Sequence, residues 1–189
     1  MGELKRCQWK GISDPIYLDY HDMEWGVPIH DDRKLFEALI LDGFQAGLSW
    51  ITVLKKRENY RKAFDNFCAE KIAVYDQVKI EDLMINSGII RNRLKITAAV
   101  TNATLFLKVK EEFGSFDSYI WSFVNGKTVR NSWKHDYEIP STSRQSDSMS
   151  KDLRKRGFKF VGSTICYAFM QGAGMINDHL VECFRYDQL

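Results

Sequence analysis

Between Asp31 and Leu41 the chain reads DDRKLFEALIL, with apolar residues at Leu35, Phe36, Leu39 and Ile40 and charges between them. That spacing is the one-sided stripe of an amphipathic helix, with Asp31 and Asp32 as N-caps and Gly43 as its end. The following QAGLSWITVLKKRENYRKAF predicts a second helix over 45–64, with Leu48, Ile51, Val53, Leu54 and Phe64 inward and the charges outward. Ahead of both, a loop carrying Asp14-Pro15 leads into a helix from Ile16 to about His21. KIEDLMIN (79–86) and NRLKITAAVTNATLFLKVKEEFG (92–114) read as helices separated by SGII, and SFDSYIWSFVNG as a short one ended by Asn125-Gly126. Residues 127–145 are polar and irregular. The loop IPSTSRQSD then feeds a helix capped at Ser146 or Asp147 that runs to about Arg156. GFKFVG (157–162) interrupts, STICYAFMQGAG resumes helical spacing through Ile165, Phe169 and Met170, and INDHLVECF predicts a last helical stretch. No strand pair, repeat or low-complexity segment stands out, so the predicted fold class is all-α.

Composition agrees with an ordered globular chain: 44% hydrophobic residues and three prolines over 189 residues, enough for a core that needs no disulfides. The aromatic fraction of 13% is high, and Trp9, Trp25 and Trp50 all fall within the first fifty residues. Such a cluster serves equally as core or as the lining of a pocket for a flat ligand. A net charge of +2 neither shows nor excludes a nucleic-acid partner. KKRENYRK (55–62) and KDLRKRGFK (151–159) are local basic runs of the kind that solvated helix faces carry. No run of about eighteen apolar residues exists, and MGELKRCQWKG lacks the apolar centre of a signal peptide; the expectation is a soluble, cytoplasmic protein. In that reducing setting Cys7, Cys68, Cys166 and Cys183 are expected as thiols or metal ligands.

Three constellations can carry chemistry. His179 and Cys183 are four apart, which on a helix puts them on one face, and Cys7 and His21 lie at the other end of the chain. A Cys2His2 set matches the tetrahedral preference of zinc, although an i, i+4 His/Cys pair is often coincidence. Four protein ligands would leave no position for water, so such a site would be structural, stapling the two termini. Next, the glycine-bounded turn in RKRGFKFVGSTI, followed by Ser163 and Thr164, exposes backbone N–H groups at a helix N-terminus. There an anion such as a DNA phosphate can bind, unless the turn is only a corner between helices. Finally, Tyr17, Tyr20, Trp25 and Trp50 gather near Asp42, with Trp9 as a fifth candidate. A nucleobase could stack on such rings and be oriented by one acid and one phenol, or the rings could simply be core.

Several blocks together, RCQW, DPIYLDYHDMEWGVP, FQAGLSWITVLKKRENYRKAF, GIIRNRLKI, FGSFDSYIWSFVNG and KRGFKFVGSTICYAFMQGAGMINDHLVECFRY, closely resemble the bacterial 3-methyladenine DNA glycosylase I family over nearly the whole chain, Arg6 to Tyr186. The resemblance implies a helix-hairpin-helix glycosylase in one compact unit spanning residues 1–189. Its zinc ligands match Cys7, His21, His179 and Cys183, joining the terminal segments around a helical bundle. Its base pocket matches Tyr17, Tyr20, Trp25 and Trp50, with Trp9 added from its place in the sequence; Asp42 and Tyr20 are the expected catalytic pair. DNA contacts are expected at Gly47 and Leu48, in the gap left by the flipped nucleotide, and at Lys159, Gly162, Ser163 and Thr164 in the hairpin, with SGII as second choice for that hairpin. The implied partners are alkylated double-stranded DNA and free 3-methyladenine as product, for a monomer with no membrane contact.

In one place the sequence departs from the family, whose pattern has glutamate where this chain has Asp42. The lost methylene withdraws the carboxylate by about 1.5 Å, and misplacement on that scale can cost on the order of 100-fold in rate. A shifted backbone, a bridging water or a deliberately weakened variant are the open accounts. Asp178, sixteen residues after Gly162, is a second acid to weigh: catalytic by analogy with related glycosylases, or a cap or support beside His179.

Overall fold

The computed structural model describes residues 4–189. Ten α-helices are found among them: α1 (Pro15–Met23), α2 (Asp32–Gln45), α3 (Trp50–Leu54), α4 (Arg57–Ala63), α5 (Ala69–Ile72), α6 (Gln77–Ile85), α7 (Arg93–Phe113), α8 (Phe116–Trp121), α9 (Arg144–Arg156) and α10 (Ser163–Gly172). The architecture is mostly helical, as the periodicity predicts. Asp14, Asp31, Asp76, Asn92 and Ser115 cap α1, α2, α6, α7 and α8 through their side chains, each satisfying an otherwise unpaired helix N–H. α2 packs against α7 and α10, α10 against α9, and α7 against α5 and α8. Leu35, Phe36, Leu39 and Phe44 of α2 are almost completely buried in the main core. Each such side chain contributes roughly 1.5–3 kcal/mol relative to exposure, which fixes the rotation of α2 about its axis.

The structure corrects the sequence reading at six points. Gly43 does not end α2, which runs on to Gln45; it sits within the helix facing Phe160, whose Cβ would lie 3.4 Å from a Cβ added there. The reversal falls instead at Gly47, at φ +79°. The helix expected over 45–64 is two, α3 and α4, broken at Lys55-Lys56, where the Lys56 amine donates to the Ser87 carbonyl at 3.1 Å. Leu48, expected inward, is 42% exposed on the turn before α3. α9 is capped by Ser143, not by Ser146 or Asp147, because Ser143 and Ser146 exchange side-chain and backbone hydrogen bonds reciprocally. Lastly, a two-residue parallel strand pair joins β1 (Val129–Arg130) to β2 (Ile176–Asn177), Val129 opposite Ile176, and the stretch after β2 is a series of turns, not a helix. Gly174 begins that change of course. At φ +72°, with its would-be Cβ 2.4 Å from the Val27-Pro28 backbone, no side chain fits there.

A second, smaller apolar cluster, built from Cys7, Tyr20, Trp25, Leu54, Leu180 and Cys183, lies beside the main core, and Trp50 packs against both. No helix among the described residues is long and apolar enough to cross a membrane.

Candidate functional site

A cavity of about 560 Å³ opens where the two clusters meet, within the size range of small-molecule sites. Tyr17, Tyr20, Trp25, Asp42, Trp50 and Trp9 all line it, so the structure brings together the whole predicted set. Helical spacing does much of this. Tyr17, Tyr20 and His21 fall at i, i+3 and i+4 of α1 and share a face. Asp42 lies seven residues after Leu35 and three after Leu39, on the buried stripe of α2. The rings meet at angles: Trp9 and Trp25 edge to face at 4.5 Å between centroids, Trp9 and Tyr17 at 5.2 Å, Tyr20 and Trp50 at 5.4 Å. Gly172 leaves room for the Tyr20 hydroxyl, 3.3 Å from where a Cβ would stand.

Asp42 is only 6% exposed. Burial pushes its carboxyl well above the usual carboxylate range, and no hydrogen bond or cation offsets that. Tyr20 is pushed up too, by burial and then by the nearby Asp42. An unpaired acid is costly to bury, so this side chain is arranged for something other than stability. Asp42, Tyr20 and Trp50 also line a second, larger cavity of about 880 Å³.

The sequence reading missed other members of the site. Gln45, Gln171 and Asp136 line the same cavity, and Gln171 and Asp136 come from segments with no local signal of a pocket. Lys95 at the start of α7 is buried, and its amine donates to the carbonyls of Phe44 at 2.8 Å and Ala46 at 2.6 Å. A cation at a helix C-terminus complements the helix dipole, and here it also pins the turn that carries Gly47 and Leu48. Both are exposed, with nothing within 4 Å of a Cβ added at Gly47.

Cys7, His21, His179 and Cys183 converge in the smaller cluster, all buried, with their ligand atoms within 4.8 Å of one another. The convergence does not come from helical spacing, since His179 and Cys183 lie in the irregular segment after β2. His21 Nδ1–H donates to Asp22 at 2.8 Å, and His179 Nε2–H to the Trp25 carbonyl at 3.1 Å. The inward nitrogens, His21 Nε2 and His179 Nδ1, lie 3.6 and 3.4 Å from the Cys183 sulfur. Supporting bonds of this kind fix the ring orientation of metal-ligating histidines. The contact between the two sulfurs pulls the Cys183 thiol down and pushes Cys7 up.

α9 and α10 pack against each other and are joined by 157–162. Gly157 takes φ +101° to end α9. Phe158 and Val161 are buried, and the Asn102 side chain clamps the Lys159 backbone through both its N–H (2.8 Å) and its carbonyl (3.0 Å). Lys159 and Thr164 are exposed, and Gly162 caps α10 with no side-chain hydrogen bond to its first N–H groups. The Ser163 hydroxyl is already engaged, donating to Asp147 and meeting Ser146 at 3.0 Å. The SGII segment is instead tied down, with Ile89 buried and the Ile90 N–H donating to Tyr60.

Asp178 lines neither cavity. It is fully buried and accepts four hydrogen bonds: from Asn131 Nδ2 and Trp133 Nε1 at 2.7 Å on one oxygen, and from Tyr167 (2.6 Å) and Gln171 (2.7 Å) on the other.

A family model described as methyladenine glycosylase matches residues 9–186. The DNA-3-methyladenine glycosylase 1 of Escherichia coli strain K12 is 50% identical over 183 residues, covering 97% of each chain. A crystal structure of a 3-methyladenine DNA glycosylase I superposes with a TM-score of 0.92 at 50% identity, covering 95% of this chain and 98% of that one. The Staphylococcus aureus enzyme, solved to show the structural basis of 3-methyladenine recognition, superposes at 0.93 with 38% identity and 98% coverage of both chains. Over nearly its full length, then, the chain belongs to the methyladenine glycosylase family.

Proposed function

We propose that this enzyme, an N-glycosyl hydrolase by its family, flips 3-methyladenine out of alkylated double-stranded DNA and hydrolyses the bond to the sugar, leaving an abasic site without cutting the strand. The observation that carries the reading is Asp42: a buried acid with no protein partner, lining an aromatic cavity together with Tyr20 and Trp50. Alkylation at N3 makes adenine in DNA cationic, which weakens its glycosidic bond and makes the base a good leaving group. Selection is then the main task. A carboxylate among electron-rich rings stabilises the cation and offers a neutral adenine much less. Extrusion selects as well, because a damaged pair unstacks more cheaply.

Trp50 provides the stacking platform, Tyr17, Tyr20, Trp25 and Trp9 close the box, and Asp42 with Tyr20 faces the base. Water completes the hydrolysis at the sugar through an oxocarbenium-like state. The lysine at this cavity is the exposed Lys10, while the buried Lys95 is committed to two carbonyls; neither arrangement suits a Schiff-base nucleophile, which supports hydrolysis without strand scission. Gly47 and Leu48, exposed and braced by Lys95, suit the gap left in the duplex. The 157–162 turn suits a helix-hairpin-helix phosphate contact through the free amides of Gly162, Ser163 and Thr164, with Lys159 beside them.

The donor set of two thiols and two imidazoles, supported by Asp22 and the Trp25 carbonyl, fits zinc. Held by Cys7, His21, His179 and Cys183, it would leave no position open for water, so its contribution is to join the chain's two ends. The test of function is to incubate methylated duplex DNA with the protein and chromatograph what is released. Free 3-methyladenine supports excision; tight binding with no released base makes the protein a reader of alkylated DNA instead.

A further inference from the structure

Three buried side-chain atoms among the described residues have no hydrogen-bond partner: Trp50 Nε1, Asp136 Oδ1 and Arg185 Nε. Trp50 and Asp136 both line the same 560 Å³ cavity. Buried polar atoms in native proteins are paired as a rule, so orphans gathered at one site mark what a ligand completes. Asp136 is the more telling. It opens the short 3-10 turn Asp136–Glu138, in the irregular stretch far from α2 in sequence, and the fold brings it to the cavity that holds Asp42. Burial raises its carboxyl against the pull of the Gln8 backbone N–H and of His135. The cavity therefore carries two carboxylates, one wholly unpartnered and one with a spare oxygen, against a single exposed lysine, Lys10.

A ligand lacking N–H donors would leave Asp42 and the spare oxygen of Asp136 desolvated and unpaired, at a cost for each. A cationic purine has the opposite effect, because it brings charge and an amino group together. We propose that Asp136 is a second base-recognising residue, which accepts a hydrogen bond from the amino group of the extruded N3-alkylated purine while Asp42 faces the same base from α2. The Gln8 N–H already occupies this carboxyl, so the orphan oxygen is the acceptor left for the base. This inference rests on the base-pocket reading above and adds a specificity-determining acid to it.

The test is a tryptophan-fluorescence titration with free 3-methyladenine, paired with steady-state excision from methylated duplex DNA. Asp136→Asn keeps the shape of the side chain, and Asp136→Ala removes both oxygens. The expected result is about a tenfold loss of affinity for the free base in Asp136→Asn, and at least that in Asp136→Ala. KM should rise in proportion while kcat changes less, and in Asp136→Asn, which keeps an acceptor for the Gln8 N–H, the melting temperature does not fall. Affinity within twofold of wild type in both variants would overturn the role of Asp136 and leave the base pocket standing. Failure of the unsubstituted protein to bind 3-methyladenine would overturn both.

Discussion

Replacing Asp178 by asparagine separates a structural acid from a catalytic one. The carboxylate accepts four donors at 2.6–2.7 Å, two on each oxygen. An asparagine in the same place accepts through one oxygen only, so two donors lose their acceptor and face an NH2 group. At about 1–3 kcal/mol for each buried donor left unpaired, the substitution costs roughly 2–6 kcal/mol. In a domain of this size each kcal/mol shifts the midpoint by about 2–4 °C, so thermal unfolding should fall by roughly 5–20 °C. Because Asp178 lines neither cavity, Asp178→Asn should retain most of its excision rate when assayed well below its new midpoint. Calorimetry and excision of 3-methyladenine at low temperature check the two halves. An unchanged melting temperature with excision abolished would refute the reasoning and make Asp178 a participant in the chemistry.

Asp42→Asn should make the free protein more stable at neutral pH. Burial raises the native carboxyl above its unfolded value, so the native state holds the proton longer and wild-type stability falls as pH rises from about 4 toward the raised value; unfolding measured against pH should show the advantage of the variant vanish in acid. Asp42→Glu should raise excision of 3-methyladenine, since it advances the carboxylate by about 1.5 Å, and an equal or lower single-turnover rate would show that the shorter acid is already well placed. Lys95→Met should cost about 2–4 kcal/mol by freeing two carbonyls from a charged donor and should raise KM for duplex more than it weakens free-base binding, as equilibrium unfolding and paired titrations would show. Native mass spectrometry should find one zinc per chain, and Cys183→Ser should lose it together with thermal stability, without first altering affinity for the base.

The helices were legible wherever apolar spacing was long and the caps were local, as in α2 and the 21-residue α7. Where a tertiary contact decides the backbone, the sequence pattern misleads. Gly43 looks like a helix stop until Phe160 is seen against it, and INDHLVECF looks helical although Asn177 and Asp178 are taken up by β2 and by four distant donors. Asp42 was legible as an acid among aromatics, but its place on the buried stripe of α2 depends on the helix passing through Gly43. Asp136 and Gln171 gave no local signal at all, since what makes them notable is a cavity assembled from five separated segments.

The most direct measurement uses a duplex with a single 3-methyladenine under single-turnover conditions, quantifying free base and strand breaks in parallel. The account predicts one base released per duplex, with breaks at the lesion only after alkali. Binding without base release, or strand breaks before any alkali, would contradict it.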